Sequence, residues 1–174
     1  IFIVMGGYSL SYVFYLKGSK DGRLLWSAVL SFGLLLLAGW VMHVLHSVSI
    51  RPDMWMRWYA PGGVIDTRGV TFHAFNLPRV AVLIPLQAGL SLAAMLQFTA
   101  WYLSKRPDAD PDFLSWVAQQ GRRLGVVVSP IYALGGALWA LTEGPEFGVT
   151  IAIAIPLVGM GALLTAYFAS LKDP

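Results

Sequence analysis

The 174-residue chain is 57% hydrophobic and only 12% charged, with a mean hydropathy of +0.66; soluble domains approach a quarter charged residues, so this composition excludes a soluble globular protein and places the chain in a bilayer. Its net charge of +3 sits in short loops and at helix ends, which excludes a nucleic-acid-binding surface and reads as control of membrane topology. The absence of cysteine excludes disulfides, thiolate metal sites, iron–sulfur ligation and covalently attached haem.

Apolar blocks predict helices over about 1–16, 24–50, 77–103, 121–142 and 147–171, since a spanning helix needs roughly 20 apolar residues. The chain is expected to be all-α: a polytopic membrane bundle of about five transmembrane helices in a single transmembrane domain. The first block is short and opens without Met, so the chain is expected to begin inside a helix with sequence upstream of it. A cleaved signal peptide is the competing reading, but GGYSLSYVFY has no basic leader and runs into the stop-transfer-like KGSKDGR. Gly6, Gly7, Ser9 and Ser11 allow a neighbouring helix to approach closely. The second helix starts at an interfacial Trp26, carries Gly33 and Trp40, and ends with His43 and His46.

A polar loop over 51–76 follows, holding Arg51, Trp55, Arg57, Trp58, Tyr59, Asp66, Arg68, His73 and Phe75. The third helix begins near Pro78, a favoured first-turn residue, and ends in TAWYLSKR, with Trp101 and Tyr102 at the interface. In the polar stretch after it, Phe113, Leu114, Trp116 and Val117 predict a short surface helix. Gly121, Gly125, Ser129, Ala133 and Ala137 then recur at every fourth position, a ridge of small residues for tight packing. TEGPEFG turns the chain into the last helix. Pro85, Pro130 and Pro156 lie within helices and each removes a backbone hydrogen bond.

Basic residues orient the bundle. Lys17, Lys20, Arg23, Lys105, Arg106, Arg122, Arg123 and Lys172 fall on one side, and Arg51, Arg57, Arg68 and Arg79 on the other. The richer side is expected in the cytoplasm of a bacterial inner membrane, with the N-terminus outside, the C-terminus cytoplasmic and the 51–76 loop periplasmic.

Apart from Arg79, no Asp, Glu, Lys or Arg lies inside an apolar block, which counts against a self-contained pump or ion-coupled carrier. Candidate chemistry therefore gathers on the histidines. His43 and His46 share a helix face, about 10 and 6 Å deep from the helix end near Ile50, and His73 precedes the third helix on the same side. Trp55 and Trp58 suit the apolar body of a cofactor, and Arg51, Arg68 and Arg79 suit its carboxylates. Three readings stay open: a b-type haem whose iron is ligated by His43 or His46, a quinone head group held by a histidine and Asp66, and an ordinary interfacial belt of aromatic and cationic side chains.

The order of VFYLKGSKDGR, WVMHVLHSVSIRP, HAFNLPR, WYLSKR and a following helix that opens with RR resembles the central helices of subunit I of bd-type quinol oxidases and related b-type membrane cytochromes. The resemblance spans roughly 8–146 and implies a periplasmic 51–76 loop. It departs from the family where function resides. The family's carboxylate in the first of these helices falls near Met5, its haem-ligating histidine falls near Pro85, and its long quinol-binding loop is replaced by TEGPEFG.

These features give the expectation of a membrane subunit in a respiratory or photosynthetic electron-transfer complex, binding haem b or contacting quinone. Its expected partners are other membrane subunits, lipid and a periplasmic cytochrome, with no nucleic acid. A cofactor-free structural or assembly subunit is the alternative, and a small-solute carrier the third reading.

Overall fold

The computed structural model describes residues 1–18, 22, 24–68 and 75–171, and every regular element among them is helical. Four helical stretches are long and apolar enough to cross a membrane: Leu25–Ser49, Leu77–Leu103, Pro111–Glu146 and Thr150–Ser170. The protein is a multi-pass, all-α membrane protein, as the composition requires. Its chain divides into two compact units, Ile1–Phe75 and Asn76–Pro174.

In the first unit, α1 (Phe2–Val13) continues as a π-helical turn over Phe14–Gly18 and packs on α2 (Leu25–Ser49). The contact is close because Gly7 lacks a side chain: a Cβ there would lie 3.1 Å from the Leu35 side chain. It is also polar, since the Ser31 hydroxyl donates to the Gly7 carbonyl at 2.6 Å. Such a bond replaces the hydrophobic drive that helix pairs lack in lipid. Beyond α2 the chain folds into a 3₁₀ turn at Pro52–Met54, the five-residue α3 (Trp55–Tyr59) and a second 3₁₀ turn at Pro61–Gly63. The expected loop is thus partly helical.

The second unit starts with α4 (Leu77–Ala81), capped by Asn76, whose side chain accepts from the Arg79 backbone N–H at 2.9 Å. Pro78 sits in the first turn, where its missing N–H costs nothing. A π-helical turn over Val82–Leu86, containing Pro85, joins α4 to α5 (Gln87–Leu103). Next is α6 (Pro111–Thr142), then the one-turn α7 (Gly144–Phe147) and α8 (Thr150–Ser170). Gly148, at φ 67°, takes the left-handed conformation that closes α7 and starts the approach to α8.

The structure joins the surface helix expected around 113–117 to the helix expected from about residue 121. Asp110 caps the helix by accepting from the Asp112 N–H at 2.9 Å, Pro111 occupies the first turn, and the helix then runs unbroken for 32 residues. No residue between Pro111 and Gly121 opposes helix, so the expected surface segment forms the first turns of α6.

The small-residue ridge on α6 is used within this unit. Its opposing helix, α8, presses the Phe168 ring onto Gly125 so closely that a Cβ would collide with it. A Cβ on Gly161 would come within 2.6 Å of the Ala133 side chain, and Ser129 and Thr165 join at 3.1 Å. On its other side α6 meets α5, where a Cβ on Gly121 would lie 2.9 Å from Leu96. α6 therefore stands between α5 and α8. Val82, Leu90 and Tyr132 form the buried cluster of this unit, with Leu86, Val128, Trp139, Leu157 and Leu164 around it.

Candidate functional site

Because α5 and α8 pack on different sides of α6, they leave a groove between them over the α6 backbone. It measures about 330 Å³ and is lined by Gln87, Leu90, Ser91 and Ala94 of α5, Tyr132 of α6, and Met160 and Leu164 of α8. Gln87 and Ser91 are four residues apart and share one face of α5. At 1.5 Å per residue they lie about 15 and 21 Å from Leu77, and Tyr132 lies about 15 Å from Thr142. All three therefore sit near the middle of a hydrocarbon layer about 30 Å thick. None of the three side chains hydrogen-bonds to another described residue. Polar groups at that depth are costly against lipid, so this face suits a polar occupant. The groove carries donors and acceptors but no charge, a chemistry for holding neutral or internally neutralised solutes by hydrogen bonds.

One end of the same unit is closed by a buried ion pair. Arg79, 2% exposed, donates from Nη1 to Glu143 Oε1 at 2.5 Å. The indole N–H of Trp139 donates to Glu143 Oε2 at 2.6 Å, and Asn76 Nδ2 donates to the Thr142 hydroxyl at 3.3 Å. Two contacts, Arg79–Glu143 and Asn76–Thr142, thus tie the start of α4 to the end of α6. Sequence reasoning assigned Arg79 to an anionic cofactor and treated Glu143 only as part of a turn. The available signal was topological: antiparallel neighbours place the first turn of one helix level with the last turn of the other.

The remaining expected site residues that the structure describes belong to the first unit. His43 is buried, with its ring edge-on to Phe75 at 5.5 Å, and Phe75 stacks on Trp40 at 4.3 Å. His46 is exposed, so the two imidazoles meet different surroundings in spite of their spacing. His73 lies outside the described residues. Trp55 is anchored to the chain by an indole bond to the Val48 carbonyl at 2.7 Å, and Trp58 is half-buried. Arg51 lies 3.4 Å from Asp53. Arg68 forks onto Asp66, with bonds of 2.9 and 2.7 Å, and the carboxylate raises the guanidinium's already high pKa. Asp66 is thus committed to a cation beside it in sequence. Among the described residues, no group of three or more His, Cys, Asp or Glu could hold a metal ion.

No family model matches the chain, and no solved structure matches it significantly. Among curated proteins the chain is similar to the iron(3+)-hydroxamate import system permease protein FhuB of Salmonella typhimurium strain LT2. The two are 30% identical over 113 residues, which cover 64% of this chain and 16% of the permease. The chain spans about a sixth of the length of the curated relative it matches. This finding overturns the electron-transfer reading, because the similarity is to a transport protein. The haem and quinone expectations came from the histidines, Asp66 and the aromatic and basic residues near them, and the similarity does not bear on those residues. The likeness to bd-type oxidase subunits gains no support from these comparisons. His43, His46 and the tryptophans and arginines of the 51–76 region suit either reading, because an interfacial belt and a cofactor pocket draw on the same residue types.

Proposed function

We propose that this chain is a membrane-embedded part of the permease of a solute-import system in a bacterial inner membrane, and that the groove over Tyr132 lines its solute path. The observation that carries this reading is the 30% identity to an import permease over 113 residues. The placement of Gln87, Ser91 and Tyr132 supports it, since they offer hydrogen bonds at mid-membrane without fixed charge. The scarcity of ionisable groups in the apolar blocks fits as well. A permease whose energy comes from another component of its system needs no proton or ion relay of its own. The solute class to test first is the one in the relative's name, an iron(3+)-hydroxamate chelate.

The test is uptake of a radiolabelled iron(3+)-hydroxamate by cells that make the intact protein, against cells deleted for it. Loss of uptake on deletion, and partial loss with Gln87→Leu or Tyr132→Phe at equal protein level, supports the reading. Unchanged uptake together with loss of a co-purifying membrane complex returns the chain to the assembly-subunit alternative.

A further inference from the structure

We infer that the loop over 59–66 is a membrane anchor: its tip, Val64 and Ile65, inserts into the bilayer leaflet in which α2 ends, while α3 lies along the surface of that leaflet. The two tip residues are 73% and 76% exposed, and Met56 of α3 is 69% exposed. Valine, isoleucine and methionine are among the side chains most often buried in proteins. An adjacent apolar pair left open on one short loop therefore marks a contact surface.

The level of this segment follows from α2. Its 25 residues measure about 37 Å at 1.5 Å per residue, a little more than the roughly 30 Å hydrocarbon layer that it crosses. Centred in that layer, α2 brings Val48 to the hydrocarbon edge. The indole N–H of Trp55 donates to the Val48 carbonyl at 2.7 Å, which holds the first residue of α3 at the same edge. Tryptophan is enriched at that depth in membrane proteins. The faces of α3 match the position. At about 100° per residue, Trp55, Met56, Trp58 and Tyr59 share an arc of about 160°, and Arg57 falls at the middle of the remainder. An apolar arc backed by a cation is the pattern of a helix that lies in the membrane plane.

The loop is closed onto the end of α3. The Asp66 backbone N–H donates to the Tyr59 carbonyl at 2.7 Å, and the Gly63 N–H donates to the Ala60 carbonyl at 2.9 Å. Gly62 and Gly63, at φ 67° and 83°, make the reversal in a conformation that other residues rarely adopt. Val64 and Ile65 are thus presented by a pinned backbone, and their insertion requires little further ordering. The acidic residues of 51–68 fit the same place. Asp53 is paired with Arg51 and Asp66 with Arg68, so each carboxylate approaches the hydrocarbon edge with its charge balanced. A soluble protein partner would account for an exposed Val64 and Ile65, but not for an amphipathic α3 fixed at the hydrocarbon edge beside them.

The experiment is fluorescence quenching in phosphatidylcholine vesicles. The 174 residues contain no cysteine, so a single introduced cysteine, in the intact protein freed of any other thiol, carries one environment-sensitive fluorophore. Val64→Cys and Ile65→Cys are compared with Arg57→Cys, using brominated acyl chains as one quencher and iodide in the buffer as the other. At 64 and 65 brominated lipid is expected to remove most of the emission and iodide little of it. Bromines within about 5–10 Å of the head-group boundary should act best, the depth reached by an interfacial apolar face. At 57 the order of the two quenchers reverses. If labelled Val64→Cys does not reconstitute, Ile65→Cys alone carries the comparison. Iodide quenching at 64 and 65 as strong as at 57 overturns the anchor in favour of a tip in water. Protection of both positions from iodide and from brominated lipid alike overturns it in favour of a contact with protein.

Discussion

Arg79 and Glu143 lie 64 positions apart in the chain and meet at 2.5 Å, with the second carboxylate oxygen of Glu143 taken by Trp139. The pair fixes the register of the α4–α5 span against α6 at one membrane edge. Removing one partner leaves the other charge buried and alone, which typically costs 3–5 kcal/mol. Glu143→Gln or Arg79→Met is therefore expected to lower stability by about that much. The double variant should recover much of the loss, because no lone charge is left. Additive losses in a double-mutant cycle, read by unfolding in detergent, would show that the two residues do not act as a pair.

Gly125 gives a sharper test of packing. The Phe168 ring occupies the space a side chain would need, so Gly125→Ala is expected to destabilise by about 1–3 kcal/mol through overpacking. Phe168→Ala in the same chain should partly relieve the clash. Val127→Leu, at an exposed position of the same helix, should stay within roughly 0.5 kcal/mol of wild type. Equal effects of Gly125→Ala and Val127→Leu on thermal unfolding would refute the α6–α8 contact.

In the groove, Tyr132→Phe removes one hydroxyl and no volume. A single hydrogen bond contributes about 0.5–1.5 kcal/mol, so the apparent affinity for a transported solute should fall roughly 2- to 12-fold. Gln87→Leu is expected to act in the same range, and Thr99→Val, outside the groove lining, should leave uptake unchanged. Transport that ignores Tyr132→Phe and Gln87→Leu would remove the groove from the solute path.

The basic residues give an orientation that can be tested directly. A reporter fused after Arg106 is expected on the cytoplasmic side and one inserted at Gly62 on the opposite side, because eight of the twelve basic residues fall with Arg106. The reverse pattern at both positions would invert the topology.

Much of the architecture was legible in the sequence because lipid imposes it. Only helices and closed barrels satisfy their backbone in hydrocarbon, and the apolar blocks mark where the helices run. The four-residue recurrence from Gly121 to Ala137 likewise announced a packing surface, and its partner proved to be α8 of the same unit. Other features depend on contacts between distant residues. Arg79 looked like a lone cation because nothing near it in sequence reveals Glu143. The unbroken α6 was hidden by its polar opening turns, which read as a surface segment although Asp110 and Pro111 already marked a helix start. The groove was missed because Gln87, Ser91 and Tyr132 are unremarkable singly and gain meaning only when the register of α5 and α6 brings them to one depth.

The π turn at Val82–Leu86 has its own consequence. A π turn holds one residue more than the α-helix around it, and each added residue advances a helix by about 100°. The ion pair pins the phase of the chain before this turn, so the extra residue sets the direction in which everything after it faces. Deleting one residue between Val82 and Leu86 would leave Arg79 on Glu143 yet rotate Gln87 and Ser91 about a quarter turn away from Tyr132. The extra residue works as an angular offset: a length change of one position, made in the turn before Gln87, decides whether two polar side chains face a groove or the bilayer.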